Sequence, residues 1–374
     1  MISRGRPLKG IGVLSLILVV MLLSNHILYY TGWLNPDVED GYAIDGVTSD
    51  LGGPTCLEWI DDDALLVCDR DGDRIVLLQF EVGTTGWDWS PTARTTLLDG
   101  FNQPHDVLIE DDYMLVSDSG RLTRINHTGL DTEWRDGLDQ SERWTLIEGV
   151  PTGNHQTNNL DIMPNGTIIW HVGSTCNVCD EDDERNAALL WVNASSGEHG
   201  VLASGVRNSF HGIWVPGMGY VFSDNGRDWE GAHPPEEVNL LIPGEDYGWP
   251  DDDVQHPVPA GTVGPVATWT SHSSLNNLAH RPVDSPFPGG EFTVYASVFG
   301  SWNTLVPVGH EIVQIDFSAD ASQPQGWASE SSVFASDLSA PLPLAFHPSG
   351  DYLFYATFPG DGTLHVISPD ELRR

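Results

Sequence analysis

The sequence predicts an all-β fold, a six-bladed β-propeller, preceded by one N-terminal transmembrane helix. Three observations carry this: a strand-turn-strand unit recurs six times after residue 54, no long amphipathic helix interrupts the series, and a largely apolar run flanked by basic residues fills positions 11 to 34.

The chain opens with Arg4, Arg6 and Lys9, a short basic segment over residues 1–10 expected on the cytoplasmic side. Residues 11–34 then supply about 20 mostly apolar positions, enough to cross a bilayer, with Tyr29, Tyr30 and Trp33 gathered at the far end. A cleaved signal peptide is the alternative, but the run is long and no small-x-small cleavage site follows it before Asp37 to Asp40. The expected location is therefore the cell membrane, with a single pass and the body of the chain outside. Residues 35–53 read as an acidic linker and residues 54–374 as the propeller.

The repeat consists of an apolar strand, a turn of Asp, Asn, Gly or Pro, and a second apolar strand that ends in a Ser/Asp/Gly loop. "CLEWIDDDALLVCDRDG", "HDVLIEDDYMLVSDSG", "HGIWVPGMGYVFSDNG" and "PLAFHPSGDYLFYATFPGDG" show it well. The units recur about every 45 to 70 residues, the period of four-stranded blades. Third strands such as "RIVLLQFE", "ALLWVN" and "TLHVISP" follow most of them.

Charge narrows the function classes. With 54 Asp and Glu against 16 Lys and Arg, the formal charge is -38, and Lys9 is the sole lysine. Phosphate would be repelled, so nucleic acid is excluded as a partner. An acidic coat of this density suits high salt, where counterions screen self-repulsion.

Four cysteines remain to be placed. In an oxidising compartment they are read as disulfides, Cys176 with Cys179 in a tight loop and Cys56 with Cys68 across the turn Asp61-Asp62-Asp63, with free thiols or a metal as alternatives.

Aligning the units puts Cys56, His105, Asn159, His211, Asn277 and Pro343 in the column that opens each inner strand. Four residues earlier, in loops that converge on one mouth of the channel, stand His155 and Arg207. Propeller geometry thus brings His155, Arg207, Asn208, His105 and Asn277 toward one pocket. A His and an Arg in so acidic a chain are candidates for a base and an anion stabiliser. For His105 and His211 a hydrogen-bonded strand cap is the simpler reading.

The stretches "GNHQTNNLDIMPNGTIIWHVGSTCNVCDEDDERNAAL", "GVRNSFHGIWV", "NGRDWEGAHPPEEVNLLIPGEDYGWP" and "FGSWN" resemble, in order, the landmarks of the soluble glucose and sorbosone dehydrogenases that use pyrroloquinoline quinone. The resemblance covers about residues 54 to 368 and implies a six-bladed propeller that oxidises a sugar, or a related polyol or aldehyde, with that quinone and calcium. It implies that His155 is the general base and that Arg207 and Asn208 bind the quinone oxygens, with Arg207 steadying the charge that develops. It further implies cofactor contacts from Arg227, Trp302, Asn303 and His105, and calcium held by the Asn225-Gly226-Arg227-Asp228 loop, with Asn225, Gly226 and Asp228 as the metal residues. Thr304 departs from the pattern, standing where the family commonly has arginine. The expected partners are a small sugar, an electron acceptor such as membrane quinone or a small redox carrier, and the membrane through the N-terminal helix.

Two other classes stay open at this level. A calcium-dependent lactonase-like hydrolase would gather Asp118, Asp224 and Asn277 around a channel metal, and a cofactor-free binding or adhesion propeller would need nothing of His155. The charge itself yields a prediction: on dilution from molar salt into dilute buffer the domain should unfold, followed by circular dichroism, and full stability in dilute buffer would contradict the salt adaptation.

Overall fold

The computed structural model describes residues 34–373 apart from 82, 85, 87, 128–137, 139–141 and 360–361, together with 19–20 and 27–29. The basic segment 1–10 and most of the expected span 11–34 lie outside the described residues. Among those described, no helix is long and apolar enough to cross a membrane.

Six antiparallel sheets form the expected six blades. Their first strands are Pro54–Asp61, Asp106–Ile109, Thr157–Ile162, Gly212–Val215, Leu275–His280 and Pro341–Phe346. Each touches the first strands of the two neighbouring blades, so the six make a closed ring around the channel.

Burial on both faces explains why the second strands read as continuous apolar runs. In Ala64–Asp69, Ala64, Leu66 and Cys68 pack toward blade 2, while Leu65 and Val67 pack toward blade 6. Six apolar clusters of this kind fill the six wedges between blades. Cys56 and Cys68 are joined in a disulfide between the first two strands of blade 1, and Cys176 is joined to Cys179, both as expected.

The stretch 35–53 corrects the reading of a linker. Tyr42–Thr48 pairs antiparallel with Leu364–Pro369 as the outer strand of the last blade, and Asp37–Val38 adds a fifth strand to blade 5 through Trp327–Ser336. Ile44 and Tyr42 pack on the cluster between blades 5 and 6, so the apolar residues of "YAIDGVT" outweigh the acidic ones around them. The N-terminal end of the domain thereby locks onto its C-terminal end and closes the ring.

Because neighbouring strands are antiparallel, the connection into each blade and the link between its second and third strands emerge on one face. Loops 149–156, 173–187, 205–211, 225–235, 270–274 and 299–310 all belong to that face.

Candidate functional site

On this face lies a cavity of about 460 Å³ lined by Asn154, His155, Asn177, Arg207, Asn208, Asn225, Gly226, Asp228, Trp229, Glu236, His272, Ser274, Trp302 and Asn303. Loops from three successive blades meet here, and a short list of polar contacts holds them in register.

The Arg207-Asn208 pair is fixed by the residue that ends a strand in the next blade. Asp224 closes Gly219–Asp224, and its carboxylate accepts the backbone N–H of Arg207 at 3.0 Å and of Asn208 at 2.7 Å. Burial pushes the Asp224 carboxyl up to about 7, against those two backbone bonds and the Arg207 charge.

The guanidinium of Arg207 is buried, at 4% exposure. Its Nε donates to the Asn177 carbonyl at 3.1 Å and Nη1 to the Asn225 carbonyl at 3.0 Å. Nη2 donates to Asn177 Oδ1 at 2.9 Å and to Asp228 Oδ2 at 3.2 Å. Four of its five N–H donors are thus engaged, leaving one on Nη1 for a ligand. Asn177 sits inside the ring closed by Cys176 and Cys179, and its carbonyl also accepts Trp249 Nε1 at 3.1 Å. The acidic run behind it contributes Glu181, which accepts both the backbone N–H and the hydroxyl of Thr175 at 2.7 Å. The disulfide loop therefore works as a clamp on the arginine.

Asp228 joins the three loops. Its N–H donates to Asn177 Oδ1 at 2.9 Å, Oδ2 pairs with Arg207, and Oδ1 accepts Asn303 Nδ2 at 2.9 Å. Trp229, His272 and Ser274 take left-handed backbone angles, φ 72°, 63° and 60°, conformations that cost non-glycine residues of order 1 kcal/mol and collect at functional sites.

His155 is held on its Nδ1 side by the Ser174 carbonyl at 3.1 Å and Ser174 Oγ at 2.8 Å. The Ser174 hydroxyl gives its own proton to the Cys176 carbonyl at 2.8 Å, so both Ser174 oxygens act as acceptors toward the ring. Nδ1 carries the ring proton and Nε2 keeps its lone pair. Burial first, and the Arg207 charge second, pull the imidazole down to about 3, so it is neutral at physiological pH. Ser174 also donates its N–H to the Arg207 carbonyl at 2.8 Å, tying base and cation to one residue. Gly173 makes room for this arrangement, since a Cβ there would stand 2.5 Å from His155 Cβ.

The cavity's residues also include hard oxygen donors. Asn225 Oδ1 and Asn303 Oδ1 are buried and accept no hydrogen bond. Glu236, which lines the same cavity and is pushed up to about 7 by burial, accepts the N–H of Gly226 and of Ser274, each at 3.1 Å. Gly226 is required by close approach, because a Cβ would meet Pro234 Cγ at 2.7 Å.

Of the residues expected at the site, His155, Arg207, Asn208, Asn225, Gly226, Asp228, Trp302 and Asn303 share the cavity. Arg227 does not. Its guanidinium turns to the Pro250 carbonyl at 2.6 Å and to Asp252 at 2.8 Å, because the acidic 250–252 segment offers a buried cation better partners than the cavity does. His105 lines an adjoining cavity with Arg70 and Phe210, and the two cavities share Asn208 and Ser274. The Asn225 carbonyl accepts Arg207 Nη1, while the Asn225 side-chain oxygen accepts no hydrogen bond. Asp118 pairs with Arg121 and accepts the N–H of Asn102, and none of Asp118, Asp224 and Asn277, the residues expected of a hydrolase, lines this cavity. Asn177, Ser174, Glu236 and His272 escaped sequence reasoning. Only the spacing of the cysteine loop hinted at the first.

No family model matches the chain. An uncharacterized protein of Borreliella burgdorferi is 27% identical over 198 residues, 48% of this chain and about half, 52%, of that relative's length. Among solved structures, the holo form of the pyranose dehydrogenase PQQ domain from Coprinopsis cinerea matches with TM-score 0.72 and 16% identity over 89% of this chain and 97% of that one. The calcium structure of a Trichoderma reesei Carbohydrate-Active Enzymes Family AA12 protein gives 0.74 and 18% over 90% and 97%. The PQQ-bound form of aldose sugar dehydrogenase from Streptomyces coelicolor gives 0.63 and 17% over 89% and 99%. At these identities the likeness establishes a shared six-bladed fold.

Asn177→Ala should lower the melting temperature, because it strips the acceptor from both Arg207 Nη2 and the Asp228 N–H, at about 1 to 3 kcal/mol for each buried donor left unpaired. Asn177→Asp, which keeps the oxygen, should recover most of the loss in a thermal scan. Equal melting of the alanine variant and the parent would contradict the clamp.

Proposed function

We propose that the protein is an exported, membrane-anchored oxidoreductase that oxidises a sugar, or a related polyol or aldehyde, with pyrroloquinoline quinone and calcium. The observation that carries this reading is the pairing, on one cavity, of a neutral imidazole with its Nε2 lone pair free and a buried guanidinium with one donor to spare. The solved structures of similar fold are described as a pyranose dehydrogenase PQQ domain and a PQQ-bound aldose sugar dehydrogenase, which supports the same chemistry here.

The residues present fit both groups. Asn225 and Asn303 carry buried, unpartnered amide oxygens and line the cavity together with Glu236 and Asp228, and oxygen donors of this kind suit calcium. Arg207 and the amides of Asn208 and Asn177 would hold the oxygens of the quinone, in a cavity within the usual range of about 300 to 1,000 Å³ for small-molecule sites. Bound there, the quinone supplies the acceptor for a hydride, two electrons and one proton.

What the chain itself does is bind, orient and move a proton. His155 Nε2 takes the proton of the substrate hydroxyl while Nδ1–H stays locked on Ser174, so the ring keeps its orientation through the transfer. Its basicity rises when ligand carboxylates offset Arg207, since an adjacent positive charge is one cause of its low value. Arg207 offers its remaining N–H to negative charge that develops on oxidation, at no reorganisation cost, because four bonds already fix it. Trp302 stands at the rim of the cavity beside Trp229, with ring centroids 5.3 Å apart. Electrons then pass to membrane quinone or a small redox carrier.

Two variants separate the roles. With added quinone and calcium, His155→Ala should lose about 100-fold to 10,000-fold in sugar-dependent dye reduction and keep quinone affinity. Arg207→Ala should lose both, with about 2 to 4 kcal/mol added to the barrier. A His155→Ala enzyme turning over at the parent rate would overturn the assignment.

A further inference from the structure

The face that carries the cavity also carries a group of exposed apolar residues. Val178, Trp229, Trp302, Leu305 and Val306 are 43% to 76% exposed, and all belong to loops 173–187, 225–235 and 299–310. These loops are not independent. Asn177 and Asn303 both bond to Asp228, and Trp229 packs edge-on against Trp302. The apolar tips therefore stand on one rigid platform held up by the Arg207 and Asp228 contacts. Single exposed apolar residues are ordinary, whereas a cluster of aromatic and aliphatic side chains on one face marks an interaction surface.

The route of the N-terminal chain indicates what that surface meets. Tyr29 stacks on His310 with centroids 4.2 Å apart, its hydroxyl donates to Asp337 at 3.1 Å, and its carbonyl accepts the Ser339 hydroxyl at 2.9 Å. His310 closes the same 299–310 loop whose tip bears Leu305 and Val306, and residues 337–340 lead into blade 6 on the same face. Tyr29, near the end of the expected span, therefore meets the propeller beside the platform, at its cavity face. A tryptophan pair with aliphatic neighbours suits the boundary between headgroups and acyl chains.

We propose that the Trp229, Trp302, Leu305 and Val306 lip docks on the lipid surface in which the N-terminal segment is embedded, holding the cavity mouth toward the bilayer. This rests on the anchored reading given above and adds the orientation. It accounts for how a site on a strongly acidic body comes close to a membrane-soluble acceptor: short-range apolar contact offsets the long-range repulsion that anionic headgroups exert, and high salt screens that repulsion.

The experiment uses the full chain reconstituted in phosphatidylcholine vesicles in molar salt. Two variants, Leu305→Cys and Val283→Cys, each carry one environment-sensitive fluorophore. Val283 is as exposed as Leu305, 75% against 76%, but lies in the link between the first two strands of blade 5, on the opposite face. With brominated phosphatidylcholine, emission from position 305 should fall several-fold while position 283 stays unchanged. Vesicles that float with the protein while both labels remain unquenched would overturn the docked orientation and leave the anchor standing. Protein that fails to float would overturn the anchor, and the orientation with it. A label at 305 already shielded without lipid would show the lip covered by this chain or a second copy, which also overturns the proposal.

Discussion

Everything at the cavity depends on keeping one guanidinium buried and charged. Desolvation lowers the pKa of Arg207, and the carboxylates of Asp228, Asp224 and Glu236 act against that trend. A buried cation is tolerable only when its donors are met, and here two carbonyls, one amide oxygen and one carboxylate meet four of them. Each of those acceptors lies on a loop that needs its own support. The disulfide ring presents Asn177, the close Gly226–Pro234 approach shapes the turn after Asn225, and Asp224 holds the arginine's own backbone. Burial holds His155 neutral and the same charge adds to it, so cation and base are coupled.

The ring of blades makes that arrangement rigid. His155 and Arg207 enter from consecutive blades, and Ser174, itself fully buried, bonds to both backbones. Closure by Tyr42–Thr48 means that no sheet is left to splay, since the last blade borrows its outer strand from the start of the domain. The wedges between blades are filled by apolar clusters, and a few buried polar pairs such as Asp106–Asn159 and His171–Tyr220 also link neighbouring sheets.

Much of this could be read from the chain. Strand periodicity and the recurring Ser/Asp/Gly loops after the second strands announce six blades, and the columns they define bring His155 and Arg207 to one mouth. Pairing of the cysteines could be read from their spacing. What the chain hides is where a side chain turns. Arg227 follows Gly226 in a loop that points at the cavity, but its head swings outward to Asp252, more than 20 positions later, a partner that no local pattern reveals. Glu236 sits in "PPEEVNLL" beside Glu237, and nothing local tells which of the two lines the cavity. The acidic character of 35–53 masks a strand because its pairing partner is the far end of the chain.

A crystal structure of the protein grown with pyrroloquinoline quinone and calcium tests the account most directly. The account predicts the quinone in the cavity between His155 and Arg207, with His155 Nε2 facing the open side where a sugar hydroxyl would lie, and a calcium ion whose ligands include side-chain oxygens of Asn225 or Asn303. A cavity that stays empty at saturating quinone, or a quinone bound away from Arg207, would contradict it.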